Sequence, residues 1–438
     1  MRLIPAALLA SLAAPVAVAE SSRYIVHFAD NVMATAVQQS LRAAVQPQAD
    51  AHAPRHVRTL ATGGELFQLT PEDASALAAT PGVVAVEEDL VLQPTAGPDP
   101  LWRRQWYMHD PKVGVDAEVA WRYTRGAGAV VAVLDTGITP HPEFDGQLLP
   151  GYDFVSDPEA ARDGDGRDPD PNDEGDWADP GECLRPRLKS TWHGSHVAGI
   201  VAARAGNRPG IVGLAPEAKV IPVRVLARCG GQLSDVADAI VWASGGDVPG
   251  VPTLARRADV INLSLGTIGA CGWSMQVAIE KAMARGTVVV VAAGNDESSA
   301  SLHVPGNCPG VITVAALARD GSMAWYSNYG AQVTLSAPGG SLRERGSDDI
   351  LSTLYLGKRS RETPAFGYYA GTSMAAPQVS ALVALMRSAD PAISVDAVRQ
   401  QLVDNARPLP GPCPKGCGAG LMDAGATVDA VVEDRVSR

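Results

Sequence analysis

Past residue 100 the chain alternates between short apolar runs, rich in β-branched residues, and longer helical stretches. The runs fall at 130–134, 219–226, 260–263, 287–292 and 311–316, and the helical stretches include 196–204, 234–243 and 273–285. Runs this continuous predict strands buried on both faces. Their alternation with helices predicts an α/β unit, a parallel sheet covered by helices on each side. In such sheets the chemistry gathers at the carboxyl ends of the strands. The first part of the chain has a different rhythm. Strands are predicted at 24–28, 65–69 and 83–89, with helices at 37–45 and from Thr70 to about 79. Thr70 followed by Pro71, Glu72 and Asp73 is a helix-start pattern. This order suits a small α+β (ferredoxin-like) unit over 20–93. Residues 94–100 hold Pro94, Gly97, Pro98 and Pro100, which predicts an exposed linker open to proteolysis.

Composition narrows the picture. Of 438 residues, 46% are apolar and 19% charged, the profile of a globular protein rather than a disordered one. The net charge of −12 disfavours nucleic acid as a partner. The excess is concentrated: residues 153–182 hold twelve acidic residues against Arg162 and Arg167, a local balance of −10. Residues 1–19 read as a secretory signal peptide, with Arg2, an apolar core and an Ala17-Val18-Ala19 end. Nothing else is long and apolar enough to span a bilayer. An exported chain with six cysteines suggests disulfides. Chain order suggests Cys183–Cys229, Cys271–Cys308 and Cys413–Cys417, a connectivity that order alone does not fix. The Cys413/Cys417 spacing resembles half a zinc site, but no second ligand pair lies nearby.

Four motifs carry chemistry. Asp135 closes the 130–134 run and precedes Thr136-Gly137. His193 opens His193-Gly194-Ser195-His196-Val197-Ala198-Gly199, with His196 one turn along as a competing base. Asn295 ends the run Ala292-Ala293-Gly294-Asn295. Ser373 lies in Gly371-Thr372-Ser373-Met374-Ala375-Ala376-Pro377, at the expected start of a long apolar helix, where the helix dipole favours negative charge. Pro377 is expected among first-turn N–H groups that have no intrahelical partner. Each residue alone has an ordinary reading, as a turn or helix-cap residue or a structural histidine. Together, in the order Asp, His, Asn, Ser, they describe a nucleophile, its base, an orienting acid and an oxyanion donor.

On these motifs residues 100–430 resemble the subtilases, the subtilisin-like serine endopeptidases. Ser195 departs from the pattern, standing where Thr is usual. The resemblance implies a subtilisin-like catalytic domain over 101–438, with Asp135, His193 and Ser373 as triad and Asn295 in the oxyanion hole. It selects His193 over His196 as base. It implies extended polypeptide substrates held between the edge Gly230-Gly231 and the edge Ser264-Leu265-Gly266. It also implies that 20–93 is an inhibitory propeptide, removed by self-cleavage within 94–100 after secretion to the outside of the cell. A parallel sheet folds slowly through non-local pairings, so a folding template is useful.

The acidic run Asp163-Gly164-Asp165-Gly166-Arg167-Asp168-Pro169-Asp170, with Asp173, offers hard oxygen ligands and suggests structural Ca²⁺, although no Glu closes a helix-loop-helix calcium loop. No organic cofactor, nucleic-acid partner or stable membrane association is expected. The chain is expected to act as a monomer, and no further domain is expected after about 430. The competing function is a catalytically silent binding or chaperone protein on the same scaffold. A lipase or esterase lacks its Gly-x-Ser-x-Gly elbow here.

Overall fold

The computed structural model describes residues 22–29, 55–89, 99–183, 187–207, 210–342 and 346–437. The stretch 1–19 read as a signal peptide, the helix predicted at 37–45 and most of the linker expected at 94–100 lie outside them. The chain divides into two compact units, Met1–Thr95 and Ala96–Arg438.

In the second unit seven strands form one sheet. They are β1 (Val130–Asp135), β2 (Tyr152–Asp153), β3 (Lys219–Arg224), β4 (Val260–Leu263), β5 (Val288–Ala292), β6 (Ile312–Leu317) and β7 (Leu335–Pro338). Every pairing is parallel, in the order β7-β6-β5-β4-β1-β3-β2. The run at β1 is apolar throughout because alternate side chains enter two different cores. Val131 and Val133 pack on one face with helices α1 (His193–Ala202) and α4 (Thr372–Ala389). Val130, Ala132 and Leu134 pack on the other with α2 (Leu233–Ala243) and α3 (Trp273–Ala284). Each fully buried Val or Leu contributes about 1.5–3 kcal/mol. Parallel strands sandwiched between helices are the predicted architecture.

The chain runs from β1 toward β3 and β2, then returns to β4 and continues the other way. The order therefore reverses between β1 and β4, and a crevice opens beyond their carboxyl ends. An antiparallel hairpin, Ile350–Tyr355 with Pro364–Tyr369, leads into α4. Its start lies against α1, because Ser352 and Thr353 donate hydrogen bonds to the His196 and Ser195 carbonyls.

The first unit is a four-stranded antiparallel sheet, ordered Arg55–Thr59, Glu65–Leu69, Ser22–Phe28, Val83–Glu88. The helix Pro71–Ala78 packs on it, capped by Thr70 and Asp73 in a reciprocal capping box. Val26, Phe67, Leu69 and Ala74 form its core. The strand Arg55–Thr59 gave no signal, since Arg, His and Thr dominate it.

Candidate active site

Asp135 is the last residue of β1 and is fully buried. Its Oδ1 accepts from the Thr136 N–H at 2.8 Å and faces His193 Nδ1 at 2.7 Å. His193 is the first residue of α1. Trp192 before it takes left-handed backbone (φ 52°), a costly conformation for a bulky residue that turns the ring toward Asp135. Thr136 Oγ1 accepts from the Gly194 N–H at 2.9 Å and donates to buried Asp173 at 2.6 Å, tying the ends of β1 and α1 together. Ser195, where the resemblance leads one to expect Thr, is held by two bonds to Thr139. Its Oγ accepts from the Thr139 N–H at 2.9 Å and shares a 2.7 Å bond with the Thr139 hydroxyl.

Charge sorts the two histidines. Burial alone would push the His193 imidazole down. The Asp135 carboxylate beside it, with Asp176 and Asp173 farther off, outweighs burial and holds its pKa above the ordinary value. His196 is buried against Tyr369, with ring centroids 4.6 Å apart, and bonds the Gly367 carbonyl at 3.1 Å. Burial, then the charge of His193, pushes it down to about 3, so it stays neutral and structural. The imidazole that can exchange a proton near neutral pH is His193.

Ser373 is the second residue of α4. Its hydroxyl donates to the Ser264 carbonyl at 3.1 Å, and no bond to His193 is formed among the described residues. Such bonds are commonly loose before substrate arrives. Pro377 corrects the sequence reading. It lies in the second turn, where its missing N–H leaves the Ser373 carbonyl without a helical donor. Ser264 Oγ supplies that donor at 2.8 Å. Ser264 in turn accepts from Asn262 Nδ2 at 2.9 Å, and Ser380 Oγ donates to Asn262 Oδ1 at 2.8 Å. This buried relay runs from β4 to α4 and backs the helix start at Ser373.

The Asn295 amide has a defined orientation. Its Oδ1 accepts from both the N–H and the hydroxyl of Thr372, each at 2.9 Å, which leaves Nδ2 as the outward donor. A methyl group at Gly371 would sit 3.5 Å from that Nδ2 and 3.6 Å from the Ser373 nitrogen, so glycine keeps open the space between two donors. An anion placed there would meet both.

Asn295 and Ser373 line a cavity of about 480 Å³ with Ser264, Leu265 and Gly266. A neighbouring cleft of about 600 Å³ is lined by His193, Gly230 and Gly231 on one side and Ser264, Leu265 and Gly266 on the other. Both sequence-predicted edges thus border space beside His193. Asp176, missed from the sequence, also lines it.

The disulfides join Cys183 to Cys229, Cys271 to Cys308 and Cys413 to Cys417, the pairing that chain order suggested. The first fastens the acidic segment to the edge at Gly230. Of the five suggested calcium ligands, Asp163, Asp165 and Asp168 gather, with carboxylate oxygens within 4.8 Å of one another. Asp170 lies outside that group. Asp173 is buried instead, accepting from the Thr136 hydroxyl and the Gly175 N–H, and burial pushes its pKa up to about 7.

Residues 126–424 match the subtilase family. An extracellular protease of Xanthomonas campestris pv. campestris is 46% identical over 414 residues, covering 92% of this chain and 70% of its own length. An extracellular basic protease of Dichelobacter nodosus is 42% identical over 399 residues, covering 86% of this chain and 65% of its own. The chain thus spans about two thirds of these relatives. A solved protease of Pseudoalteromonas arctica superposes with a TM-score of 0.76 at 45% identity, covering 77% of this chain and 100% of that one.

Proposed function

The chain belongs to the subtilase family of serine endopeptidases, and on that premise we propose that Asp135, His193 and Ser373 carry out its peptide-bond hydrolysis. The observation that carries this reading is the 2.7 Å contact between buried Asp135 and His193, with Ser373 and an outward Asn295 amide in the adjoining cavity. His193 Nε2 takes the Ser373 proton as the hydroxyl attacks the substrate carbonyl. Asp135 keeps the Nδ1 proton in place and stabilises the imidazolium. Asn295 Nδ2 and the Ser373 N–H receive the oxyanion. The imidazolium then protonates the leaving amine, and water, activated by the same ring, hydrolyses the acyl-enzyme. Substrate lies extended between Gly230-Gly231 and Ser264–Gly266, the two edges that border the cleft, in the manner of strand addition.

The same reading assigns 1–19 to export, 20–93 to inhibition and folding assistance, and 94–100 to maturation cleavage. The names of the two relatives, both extracellular, support export. Among the described residues no helix is long and apolar enough to cross a membrane. Action as a monomer is part of the same reading. Asp163, Asp165 and Asp168 form a hard oxygen donor set that suits Ca²⁺ as a structural ion. The four competent side chains weigh against a silent scaffold.

Ser373→Ala is the direct test. The variant is expected to lose casein hydrolysis by at least about 10³-fold and to retain residues 20–93 as intact mass. Undiminished hydrolysis or processing in a pure preparation would remove Ser373 from the role given to it.

A further inference from the structure

The clefts that border the segment 190–193 differ in charge. The two cavities that hold Ser264–Gly266 are lined by Asp176 and Asp296, and by no lysine or arginine. Trp192, directly before His193, and Tyr369 border a third cleft of about 1010 Å³. Its lining includes Arg187, Lys189, Lys358 and Arg359, with Glu362 as the one carboxylate. Arg187 and Arg359 are partly answered by Asp179, which contacts both. Lys189 and Lys358 have no ion-pair partner among the described residues. In a chain of net charge −12 this is a local reversal of sign.

The cationic loop is held against the catalytic segment. Ser190 donates its N–H to the Lys358 carbonyl at 2.9 Å and its hydroxyl to the Arg359 carbonyl at 2.7 Å. Trp192 Nε1 donates to the Gly357 carbonyl at 3.1 Å. The Tyr369 hydroxyl donates to the Thr191 carbonyl at 2.7 Å. Gly357 makes the turn possible: φ is 117°, and a methyl group there would stand 2.0 Å from the Ser360 carbonyl oxygen. The residues leading into His193 therefore form one wall of this cleft, and the loop bearing Lys358 and Arg359 forms the other. Tyr355, with its ring 6.3 Å from that of buried Trp192, adds apolar surface between them.

We propose that this cleft receives the substrate residues that follow the scissile bond and selects acidic side chains there. The proposal rests on Ser373 as nucleophile. The acyl half of the substrate occupies the cavities between the two edges, so the leaving half must depart past His193, which protonates its amine. Beyond that ring the polypeptide meets two exposed ammonium groups with no ion-pair partner among the described residues, whose field acts on charged side chains and is screened by salt. Aspartate or glutamate would pair with Lys189 and Lys358. Lysine or arginine would be repelled.

The test uses enzyme expressed from the full chain and three substrates with one common acyl half. Two are internally quenched peptides whose residues after the bond are acidic in one and basic in the other. The third is a p-nitroanilide, with no residue beyond the bond. The acidic peptide should show kcat/KM roughly three- to tenfold above the basic one at low salt, as expected of two exposed ion pairs. The gap should close in 1 M NaCl. In the double variant Lys189→Glu/Lys358→Glu the order should reverse, and anilide turnover reports that the variant has folded. Equal rates for the two peptides, with the anilide cleaved, overturn the charge selection alone. Failure to cleave any of the three overturns the assignment of Ser373 and this proposal with it.

Discussion

Asp176 stands in the cleft beside His193 and acts on it through charge. Its carboxylate accepts from the Thr191 N–H at 2.6 Å and the Thr191 hydroxyl at 2.9 Å, so an asparagine can keep the same place. His193 must be neutral to act as a base, and the carboxylates around it favour the protonated ring. Activity should therefore fall as pH drops through a value above the ordinary imidazole pKa. Asp176→Asn removes one of those charges, lowers the His193 pKa and should move the acid limb of kcat/KM to lower pH. A pH profile with an unmoved acid limb would show that Asp176 does not act on the ring. Asp135, His193, Asn295 and Ser373 were legible in the sequence because each sits in a local motif. Asp176 was not, because it lies 17 positions before His193 in a run of acids and only the fold singles it out.

At the scale of elements, the buried relay from Ser380 through Asn262 and Ser264 to the Ser373 carbonyl couples strand β4 to helix α4. Ser380→Ala leaves Asn262 Oδ1 buried without that donor, which costs about 1–3 kcal/mol. Measured by denaturant unfolding in a Ser373→Ala background, where autolysis cannot interfere, the loss should lie in that range. A change within about 0.5 kcal/mol, typical of an inconsequential substitution, would mean that the relay does not hold the helix start. The sequence could not show this relay, because its members are brought together only by strand–helix packing. The same reason explains which elements were legible. Runs such as Val260–Leu263 are apolar on both sides and identify themselves. Strand β7 carries Ser336 and Pro338 at the sheet edge, and β2 has only two residues, so neither leaves a periodic trace. The hairpin before α4 alternates too weakly to stand out, yet it carries the cationic loop.

For the whole molecule the question is how an acid-rich segment stays folded over the sheet edge. The fold supplies counter-ions from outside the segment. Arg224 reaches Asp153 at 2.6 Å and Asp163 at 2.5 Å, Arg228 reaches Glu182 at 2.8 Å and Arg361 reaches Glu174 at 2.9 Å, whereas Arg167, inside the segment, pairs with Asp235 and Asp238 of α2. Asp165 and Asp168 are left facing each other and Asp163. Burial, opposed by the Asp170 N–H and reinforced by these neighbouring carboxylates, raises the Asp168 pKa. Like charges gathered this closely destabilise the folded loop unless a cation joins them, and a divalent ion with oxygen ligands answers three carboxylates at once. The Cys183–Cys229 disulfide fastens the far end of the segment to the edge at Gly230, so loosening the loop would reach the substrate cleft. Ca²⁺ at 100 times its Kd would stabilise the native state by about 2.7 kcal/mol. A chelator should then lower the unfolding temperature of the Ser373→Ala protein and speed heat inactivation of the active enzyme, with millimolar Ca²⁺ restoring both. Asp165→Asn/Asp168→Asn should blunt the response while relieving the repulsion that makes the ion necessary. If the chelator leaves the unfolding temperature of the parent unchanged, these carboxylates are held apart by solvent and by Arg224 alone.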